Sequence, residues 1–410
     1  MEQIHDRVAG LDVHRDSVAV CVRVPGPGRS VVTYKQRFAT STGGLAELAA
    51  WLGGHAVTVA GMEATGVYWK PVYYALEDRF GLWLCNAHHV KNVPGRKTDM
   101  TDAEWLADVV AHGMVRASFV PPPAIRELRD LTRYRKRQID TKVAEVQRLE
   151  KVLQDAGIKL SSVASEVLSK SGRRMLEALI AGQRDPAVLA EMALGKMRIK
   201  RAALGEALAG HFGPHHAVAV RQILDHVDFL DRSIAVISEQ VATRMAPHAA
   251  AVRLLVGIPG ISRLSAEVII AETGGDMSRF PSPAHLASWA GLCPGNHESA
   301  GKRRRVGTTN GNRWLRRTLL ESARAAARTK GSYFGAQYRQ IAHRRGPNKA
   351  AVAVAHSLID VIWHILTTGE LFTDLGADYY QRHRDPERIT RRLVHQLEQL
   401  GHTVTITPVA

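Results

Sequence analysis

Four acidic residues early in the chain have the type and spacing that metal-dependent phosphate chemistry needs. Asp12 lies in an apolar segment that reads Gly-Leu-Asp-Val-His, and Glu63 follows a second apolar segment, in Met-Glu-Ala-Thr-Gly. Asp99 and Asp102 are three residues apart, and on a helix this spacing places both carboxylates on one face. Carboxylates that converge repel one another unless a hard divalent cation takes their oxygens as ligands. Two such cations would support in-line phosphoryl transfer, because they hold the attacking and the leaving oxygen.

Each of these acids also has a structural interpretation. Asp12 could be a turn residue, and Asp99 and Asp102 could be acids favoured by the dipole at a helix N-terminus. Glu63 is harder to explain structurally, because it follows a strand pattern that is otherwise apolar. Their joint occurrence on these elements favours the metal site.

A serine before a basic run is the second candidate for chemistry. Ser299 lies in the small-residue turn Ser-Ala-Gly, and no acid occurs between residues 302 and 317. Serine is a weak nucleophile unless its alkoxide and the charge on the attacked phosphate are stabilised, and an arginine-rich pocket does both. A solvated basic face is the alternative interpretation. The basic residues that we expect to contact nucleic acid are Lys302, Arg303, Arg304, Arg305, Arg313, Arg316 and Arg317.

The segment Gly-Ile-Pro-Gly at residues 257–260 precedes an apolar helical pattern and has the form of a helix-hairpin-helix turn. Such a turn exposes backbone N–H groups at a helix N-terminus, where they bind phosphates of any base sequence. Gly257 and Gly260 are therefore candidate nucleic-acid contacts. An ordinary turn inside a helical core is the alternative.

The elements that must position the acids follow from the patterns of the first 118 residues. β-Branched and apolar runs predict five strands, and the segments between them predict three helices. Three successive strands followed by alternating strands and helices are typical of an α/β fold around a mixed sheet. The predicted strands cover residues 7–14, 17–24, 31–38, 56–61 and 82–86, and the predicted helices cover residues 43–52, 68–80 and 100–112.

The rest of the chain has mostly helical patterns after the breaker Pro121-Pro122-Pro123. Residues 124–156 and 217–245 predict two long helices, which could pair as an antiparallel arm, meet the arm of another subunit, or belong to an ordinary bundle. Further helices are predicted at residues 312–329 and 349–368, and the last forty residues are polar and peripheral. We therefore predict four segments: a mixed-sheet domain (1–118), a helical coiled-coil segment (119–250), a mostly helical C-terminal domain (251–370) and a tail (371–410).

Composition restricts the partners. The chain of 410 residues has 55 Lys and Arg against 39 Asp and Glu, a formal net charge of +16, which favours a polyanion such as nucleic acid. Its three cysteines are far apart, which excludes a disulfide framework and a cysteine-based zinc site. No run of about 18 uncharged apolar residues is present for a membrane span. We expect a soluble protein of a reducing cell interior.

The acids resemble the DEDD tetrad of a RuvC-like nuclease domain, and more narrowly that of the DEDD transposases of a bacterial insertion-sequence family, which are bridge-RNA-guided recombinases. The motifs that carry this resemblance are Gly-Leu-Asp-Val-His, Glu-Ala-Thr-Gly, Lys-Thr-Asp-Met-Thr-Asp-Ala, Gly-Ile-Pro-Gly-Ile, Ala-Gly-Leu-Cys-Pro and Gly-Asn-Arg-Trp-Leu-Arg-Arg. They occur in the family's order over about residues 5–370. The family carries its nucleophilic serine five residues after the proline of Gly-Leu-x-Pro, and five residues after Pro294 is Ser299.

The resemblance implies catalytic roles for Ser299, Asp12, Glu63, Asp99 and Asp102, with the four acids binding Mg²⁺ or Mn²⁺. It also implies donor and target DNA, a non-coding guide RNA, a dimeric or tetrameric assembly, and a place in the bacterial cytoplasm on the nucleoid. Three other functions remain open from the residues alone. These are a plain magnesium-dependent nuclease of the junction-resolvase type, a sugar-kinase-like phosphotransferase, and a nucleic-acid-binding protein without catalysis.

Overall fold

The computed structural model describes residues 3–28, 30–64, 66–85, 99–115, 117–295, 298–299, 302–303, 307–382 and 386–407. The chain forms two compact units, Met1–Val120 and Pro121–Ala410. The mixed α/β character of the first unit and the mostly helical character of the second confirm the predicted fold class at that level.

The first unit contains a five-stranded sheet in the order β3-β2-β1-β4-β5. The first three strands form an antiparallel meander, whereas β4 and β5 run parallel to β1. The strands are β1 (Val8–Val13), β2 (Ser17–Pro25), β3 (Val31–Ala39), β4 (Val59–Glu63) and β5 (Gly81–Cys85). The predicted mixed sheet is therefore confirmed.

Among the described residues of this unit, three helices cover the sheet: α1 (Thr42–Gly54), α2 (Trp69–Leu76) and α3 (Asp99–Ala111). Side chains on a strand alternate between faces, and in β1 the residues Leu11 and Val13 join the core formed with α1 and α2. Val8 instead joins the core formed with α3. The even-numbered residues of β1, which include Asp12, therefore face α3.

Two predicted elements have wrong boundaries. The helix predicted at residues 68–80 covers only Trp69–Leu76. The fourth strand covers Val59–Glu63 rather than residues 56–61. Ala56 has a φ of 55°, in the left-handed region, and lies in the turn that ends α1, so the strand cannot begin there. Glu63 is consequently the last residue of β4 and not a residue beyond it.

The second unit begins with two long helices, α4 (Pro123–Asp155) and α9 (Pro214–Met245). Ion pairs join Glu127 to Arg244 and Lys142 to Asp231, so the residue number falls along α9 as it rises along α4. The two helices therefore pair in antiparallel orientation within one chain, as one of the predicted alternatives has it. Four shorter helices that the sequence patterns did not predict pack on their ends: α5 (Leu160–Val163), α6 (Lys170–Ile180), α7 (Pro186–Glu191) and α8 (Arg201–Leu208).

In the rest of the second unit, the regular structure of the described residues is helical apart from one short hairpin. Its helices are α10 (Ala249–Val256), α11 (Arg263–Thr273), α12 (Pro283–Trp289), α13 (Arg313–Ala326), α14 (Tyr333–Arg345), α15 (Pro347–Thr368), α16 (Tyr379–Arg382) and α17 (Pro386–Gln399). The hairpin pairs β6 (Glu298–Ser299) with β7 (Lys302–Arg303). Among the described residues, α15 alone is long and apolar enough to cross a membrane by length and composition, and it packs against α12, α13 and α14.

Candidate functional site

The acidic site is built on the face of the sheet that α3 covers. In the β-ladder Asp12 pairs with Ala19, and Ala19 pairs with Arg37, so the three residues form one row across β1, β2 and β3. Residues of one row project to the same face. Because alanine is small, the guanidinium of Arg37 can pass over it towards the N-terminus of α3.

Glycine allows α3 to lie close to the sheet. A Cβ added at Gly10 would lie 2.0 Å from the carbonyl oxygen of Ala103 and 2.5 Å from the amide nitrogen of Ala107. A Cβ at Gly61, the neighbour of Gly10 on β4, would lie 2.4 Å from a methyl group of Val110. Any larger residue at these positions would push the helix away, and the acids at its N-terminus would move with it.

Three ion pairs then fix α3 along the same face. Arg37 Nη2 lies 3.1 Å from Asp99 Oδ2, Lys35 Nζ lies 2.6 Å from Glu104 Oε2, and Arg23 Nη1 lies 2.8 Å from Asp108 Oδ1. The pairs follow the helix from its first residue to its last turn. The more exposed pairs, Arg37–Asp99 and Lys35–Glu104, contribute little stability, so their main effect is to set the helix in its register.

This packing brings Asp12, His14 and Asp99 together. His14 Nε2 lies 3.0 Å from Asp12 Oδ2 and 3.5 Å from Asp99 Oδ2, and one ligand atom of each residue lies within 4.8 Å of the other two. Two carboxylate oxygens and one imidazole nitrogen at these separations are a donor set that a divalent cation can use. The arrangement therefore fits the metal chemistry that the sequence predicts, with His14 as an added member.

The charges of the cluster perturb its members. Burial raises the pKa of Asp12, and the nearby charges of Asp99 and Asp102 raise it further, against the opposing effect of His14. The hydrogen bond from Arg37 lowers the pKa of the exposed Asp99. A half-buried carboxylate that is destabilised by its neighbours gains most from a cation.

The other two predicted acids lie at the same edge. Leu11 of β1 pairs in register with Met62 of β4. Asp12 and Glu63 are the next residues along these two parallel strands, so they lie side by side. Asp102 is exposed in the first turn of α3. Among the described residues, neither belongs to the group whose ligand atoms lie within 4.8 Å of one another.

Sequence reasoning missed His14 and Arg37. The spacing of two between Asp12 and His14 was a usable signal, since residues two apart on a strand share a face. For Arg37 there was no local signal, because its contact with Asp99 joins residues 62 positions apart.

The candidate serine lies in the hairpin of β6 and β7. Two chain segments on either side of this hairpin, residues 293–295 and 307–309, pair with each other, and we call this pair the stem. Gly295 N donates to Gly307 O at 2.8 Å, and Thr309 N donates to Cys293 O at 3.0 Å. Pro294 forms a β-bridge with Thr308 between these bonds. In the β6–β7 hairpin, Ser299 pairs in register with Lys302. The backbone therefore holds Ser299 opposite a basic residue.

The basic residues predicted to bind nucleic acid differ in their surroundings. Arg316 Nη1 donates to Gly291 O at 3.0 Å, and Arg317 pairs with Asp140 at 2.6 Å and with Glu321 at 3.1 Å. The guanidinium of the exposed Arg313 lies 5.4 Å from the ring centre of Trp314. Lys302 and Arg303 form β7, whereas Arg304 and Arg305 lie outside the described residues.

The turn that carries Gly257 and Gly260 joins α10 to α11, an arrangement that both the helix-hairpin-helix interpretation and an ordinary helical turn predict. Gly257 is exposed, whereas Gly260 has a φ of 86° and packs against α13, where an added Cβ would lie 2.4 Å from Ser322 O. Gly257 therefore faces solvent, whereas Gly260 permits the close approach of this turn to α13.

Comparison with known proteins places these features in one family. A family model described as a transposase, DEDD_Tnp_IS110, matches residues 9–158, and a second, described as the transposase IS116/IS110/IS902 family, matches residues 252–339. The chain is 25% identical over 377 residues to the transposase for insertion sequence element IS1111A of Coxiella burnetii, which covers 89% of this chain and 91% of that protein. It is also 31% identical over 120 residues, 29% of each chain, to a 43.6 kDa protein of insertion element IS110 of Streptomyces coelicolor.

The mixed-sheet unit with its acidic cluster, and the two matched regions that follow one another along the chain, define a transposase, an enzyme that acts on DNA. The chain belongs to the IS110 family of insertion-sequence transposases. A DEDD-type transposase implies a divalent metal ion, and the donor atoms of Asp12, His14 and Asp99 are compatible with one.

Proposed function

We propose that this transposase cuts and rejoins donor and target DNA with Ser299 as its nucleophile and with a divalent cation, Mg²⁺ or Mn²⁺, at the DEDD acids, under the guidance of a structured RNA. The observation that carries the metal part is the convergence of Asp12, His14 and Asp99 on the α3 face of the sheet. The serine part rests on the position of Ser299 opposite Lys302 in a basic hairpin.

The acids of the first unit would hold the cation through carboxylate oxygens of Asp12 and Asp99, with Glu63 and Asp102 at the same edge. When bound, the cation stabilises negative charge that develops on a phosphate during its attack. His14 Nε2, which lies 3.0 Å from Asp12 Oδ2, would be a third ligand. Arg37 sets the position of Asp99 and offsets part of the charge of the cluster.

In the reaction, the hydroxyl of Ser299 attacks a DNA phosphorus and loses its proton to solvent. A serine–phosphate bond forms, and the bond from phosphorus to the 3′ oxygen breaks. The protein remains on the 5′ phosphate, and the 3′ oxygen takes up a proton and leaves as a hydroxyl. Attack of a 3′ hydroxyl on the phosphoserine ester reverses these steps and rejoins DNA without an external energy source. The basic side chains around the hairpin stabilise the negative charge at the attacked phosphate.

Nucleic acid would be bound mostly through its phosphates. The net charge of +16 suits a protein that holds DNA and RNA at once. We assign the choice of DNA sequence to base pairing with the guide RNA, while the protein contacts backbones through residues such as Arg313 and the turn at Gly257. The protein then acts on the nucleoid in the bacterial cytoplasm.

The serine is tested on denaturing gels with labelled element ends. The wild-type protein should form a covalent protein–DNA adduct that Ser299→Ala lacks. Ser161→Ala, at an exposed serine of α5, is the matched control and should form the adduct normally. If the wild-type protein cleaves DNA without forming an adduct, and Ser299→Ala cleaves as well, the result favours a plain metal-dependent nuclease instead.

The metal is tested by calorimetric titration with Mn²⁺. Asp12→Asn should weaken binding by about tenfold or more, because it removes a charged ligand and leaves the fold intact. Glu47→Gln, at an exposed position of α1, removes one negative charge elsewhere in the same unit and should bind Mn²⁺ like the wild type. Equal affinity of Asp12→Asn and the wild type would remove Asp12 from the site.

The guide RNA and the oligomer need separate experiments. Protein purified from cells that carry the complete element should retain one structured RNA from its non-coding flanks, and removal of that RNA should abolish recombination. Mixing the inactive variants Asp12→Ala and Ser299→Ala should restore part of the activity if a dimer or tetramer combines residues of different copies. Recombination by RNA-free protein would refute the guide.

A further inference from the structure

A buried carboxylate in the second unit has an unusual set of partners. Glu272, at the end of α11, has no solvent exposure. Its two oxygens accept hydrogen bonds from Arg133 Nε and Nη2, each at 2.7 Å, and Oε2 also accepts one from Asn312 Nδ2 at 2.7 Å. Arg129 Nε lies 3.4 Å from the same oxygen. The carboxylate is therefore fully partnered by α4 on one side and by the N-terminus of α13 on the other.

Such a site is costly to build for packing alone. A buried carboxylate is stable only where cations and hydrogen bonds replace its water, and apolar residues would fill the space at lower cost. Arg129 further anchors the end of α11 by donating from Nη2 to the backbone oxygen of Glu272 at 2.5 Å. The position of the Glu272 side chain is thus fixed from several directions, which suits a residue that must hold another group in place.

The group that Glu272 holds is Asn312, the N-cap of α13. The side-chain oxygen of Asn312 accepts from Trp314 N at 3.0 Å and from Leu315 N at 3.1 Å, which leaves its Nδ2 free to donate to Glu272. The backbone nitrogen of Asn312 donates to Trp289 O at 2.8 Å. One residue therefore links α11, the end of α12 and the start of α13.

Asn312 follows closely on the stem, whose two segments stand on either side of the hairpin with Ser299. At the base of the stem the backbones of Gly291 and Gly311 touch, because a Cβ added at Gly311 would lie 2.3 Å from Gly291 N. Arg316, one turn along α13, donates to Gly291 O from the other side. Direct hydrogen bonds and a backbone contact therefore connect Glu272 to the base of the stem.

We infer that Glu272 is a positioning residue for the serine: through Asn312 it fixes both strands of the stem at their base, and so sets where Ser299 meets DNA. This inference rests on the proposed role of Ser299. Small displacements of a nucleophile lower its rate steeply, whereas DNA affinity depends on many phosphate contacts. Loss of the Glu272–Asn312 bond should therefore slow adduct formation and leave DNA binding unchanged.

The test uses Asn312→Ser in the full-length protein. Serine is also a good N-cap, so α13 keeps its start while the bond to Glu272 is lost. We expect the adduct to form about tenfold more slowly or worse, with the DNA dissociation constant within about twofold of the wild-type value. Hydrogen exchange of peptides that contain the Gly295 and Thr309 amides should become faster. Asn310→Ser, the same change at an exposed position two residues earlier, is the control and should alter neither.

A second variant protects the test against a loss of folding. Asn312→Asp also keeps a good N-cap, but it places a carboxylate where the donor to Glu272 was, so the link is lost in a second way. Thermal unfolding checks that both variants are folded. A slow adduct and fast exchange in both variants support the inference, and wild-type behaviour of either folded variant overturns it. Absence of any Ser299-dependent adduct from the wild-type protein would refute the nucleophile instead, and the exchange rates would still report whether Glu272 fixes the stem.

Discussion

Arg37 on β3 donates a hydrogen bond from Nη2 to Oδ2 of Asp99, 3.1 Å away at the N-terminus of α3. The two residues are 62 positions apart in the chain, and the contact fixes Asp99 above the sheet face that carries Asp12. The same guanidinium occupies an oxygen that a metal ion would use. Arg37 therefore positions the Asp99 carboxylate and also competes with a cation for one of its oxygens.

The first prediction follows from this competition. Arg37→Gln should bind Mn²⁺ about threefold or more tightly than the wild type, because a cation no longer has to displace the guanidinium or approach its charge. Arg15→Gln removes the same charge from the exposed turn between β1 and β2 and should leave the affinity unchanged. Calorimetric titration measures both. Weaker binding in Arg37→Gln would mean that the placement of Asp99 outweighs the competition.

The second prediction concerns the contact between α3 and the sheet. Gly10→Ala should lower the free energy of unfolding by about 1–3 kcal/mol, because its Cβ would overlap the backbone of α3. It should weaken Mn²⁺ binding as well, since Asp99 moves with the helix. Gly53→Ala, in α1 with open space around it, is the control and should stabilise the protein slightly. Thermal unfolding and Mn²⁺ titration of both variants measure these effects. Wild-type stability and affinity in Gly10→Ala would contradict the close packing of α3 on Gly10.

The third prediction concerns the basic run. The triple variant Arg303→Ala, Arg304→Ala and Arg305→Ala should weaken binding to every duplex and flatten its salt dependence, by about 0.9 in the log–log slope for each phosphate that the variant no longer binds. Salt titrations with two duplexes of unrelated sequence measure this effect. A weakening confined to one duplex would indicate base readout, and unchanged binding to both would indicate a solvated basic face.

The fourth prediction concerns the buried thiols. Burial raises the pKa of Cys21 from 9.0 to about 11 and that of Cys85 to about 12. At pH 8 the thiolate fraction of a group with a pKa near 11 is about one part in a thousand, so iodoacetamide should modify these residues only after unfolding. Mass spectrometry of native and denatured samples measures the modification. Rapid labelling of Cys21 in the native protein would refute its burial.

The same shifts have a defined sign for stability. Above about pH 9 the unfolded chain loses the Cys21 proton while the folded protein keeps it until about pH 11, so the folded state binds more protons in this range. The free energy of unfolding therefore falls as the pH rises through it. In Cys21→Ala this fall should be smaller, and denaturant titrations at pH 8 and pH 10 compare the two proteins.

The sequence by itself determined the elements and the candidate acids. β-Branched and apolar runs predicted the strand that carries Asp12 and the strand before Glu63, and three-and-four spacing predicted the two long helices, because both signals arise within a short stretch of chain. The DxxD spacing likewise placed Asp99 and Asp102 at the start of a helix. The boundary of β4 was wrong because the left-handed Ala56 left no trace in the apolar pattern.

Only the tertiary structure decided which side chains meet. The row of Asp12, Ala19 and Arg37 depends on strand register, and the contact of Arg37 with Asp99 depends on the close approach of α3 over Gly10. The hydrogen-bond partners of Glu272 come from 139 positions earlier, in Arg133, and from 40 positions later, in Asn312. Such contacts join distant parts of the chain, and no periodicity encodes them because periodicity reflects only the local environment of a helix or strand.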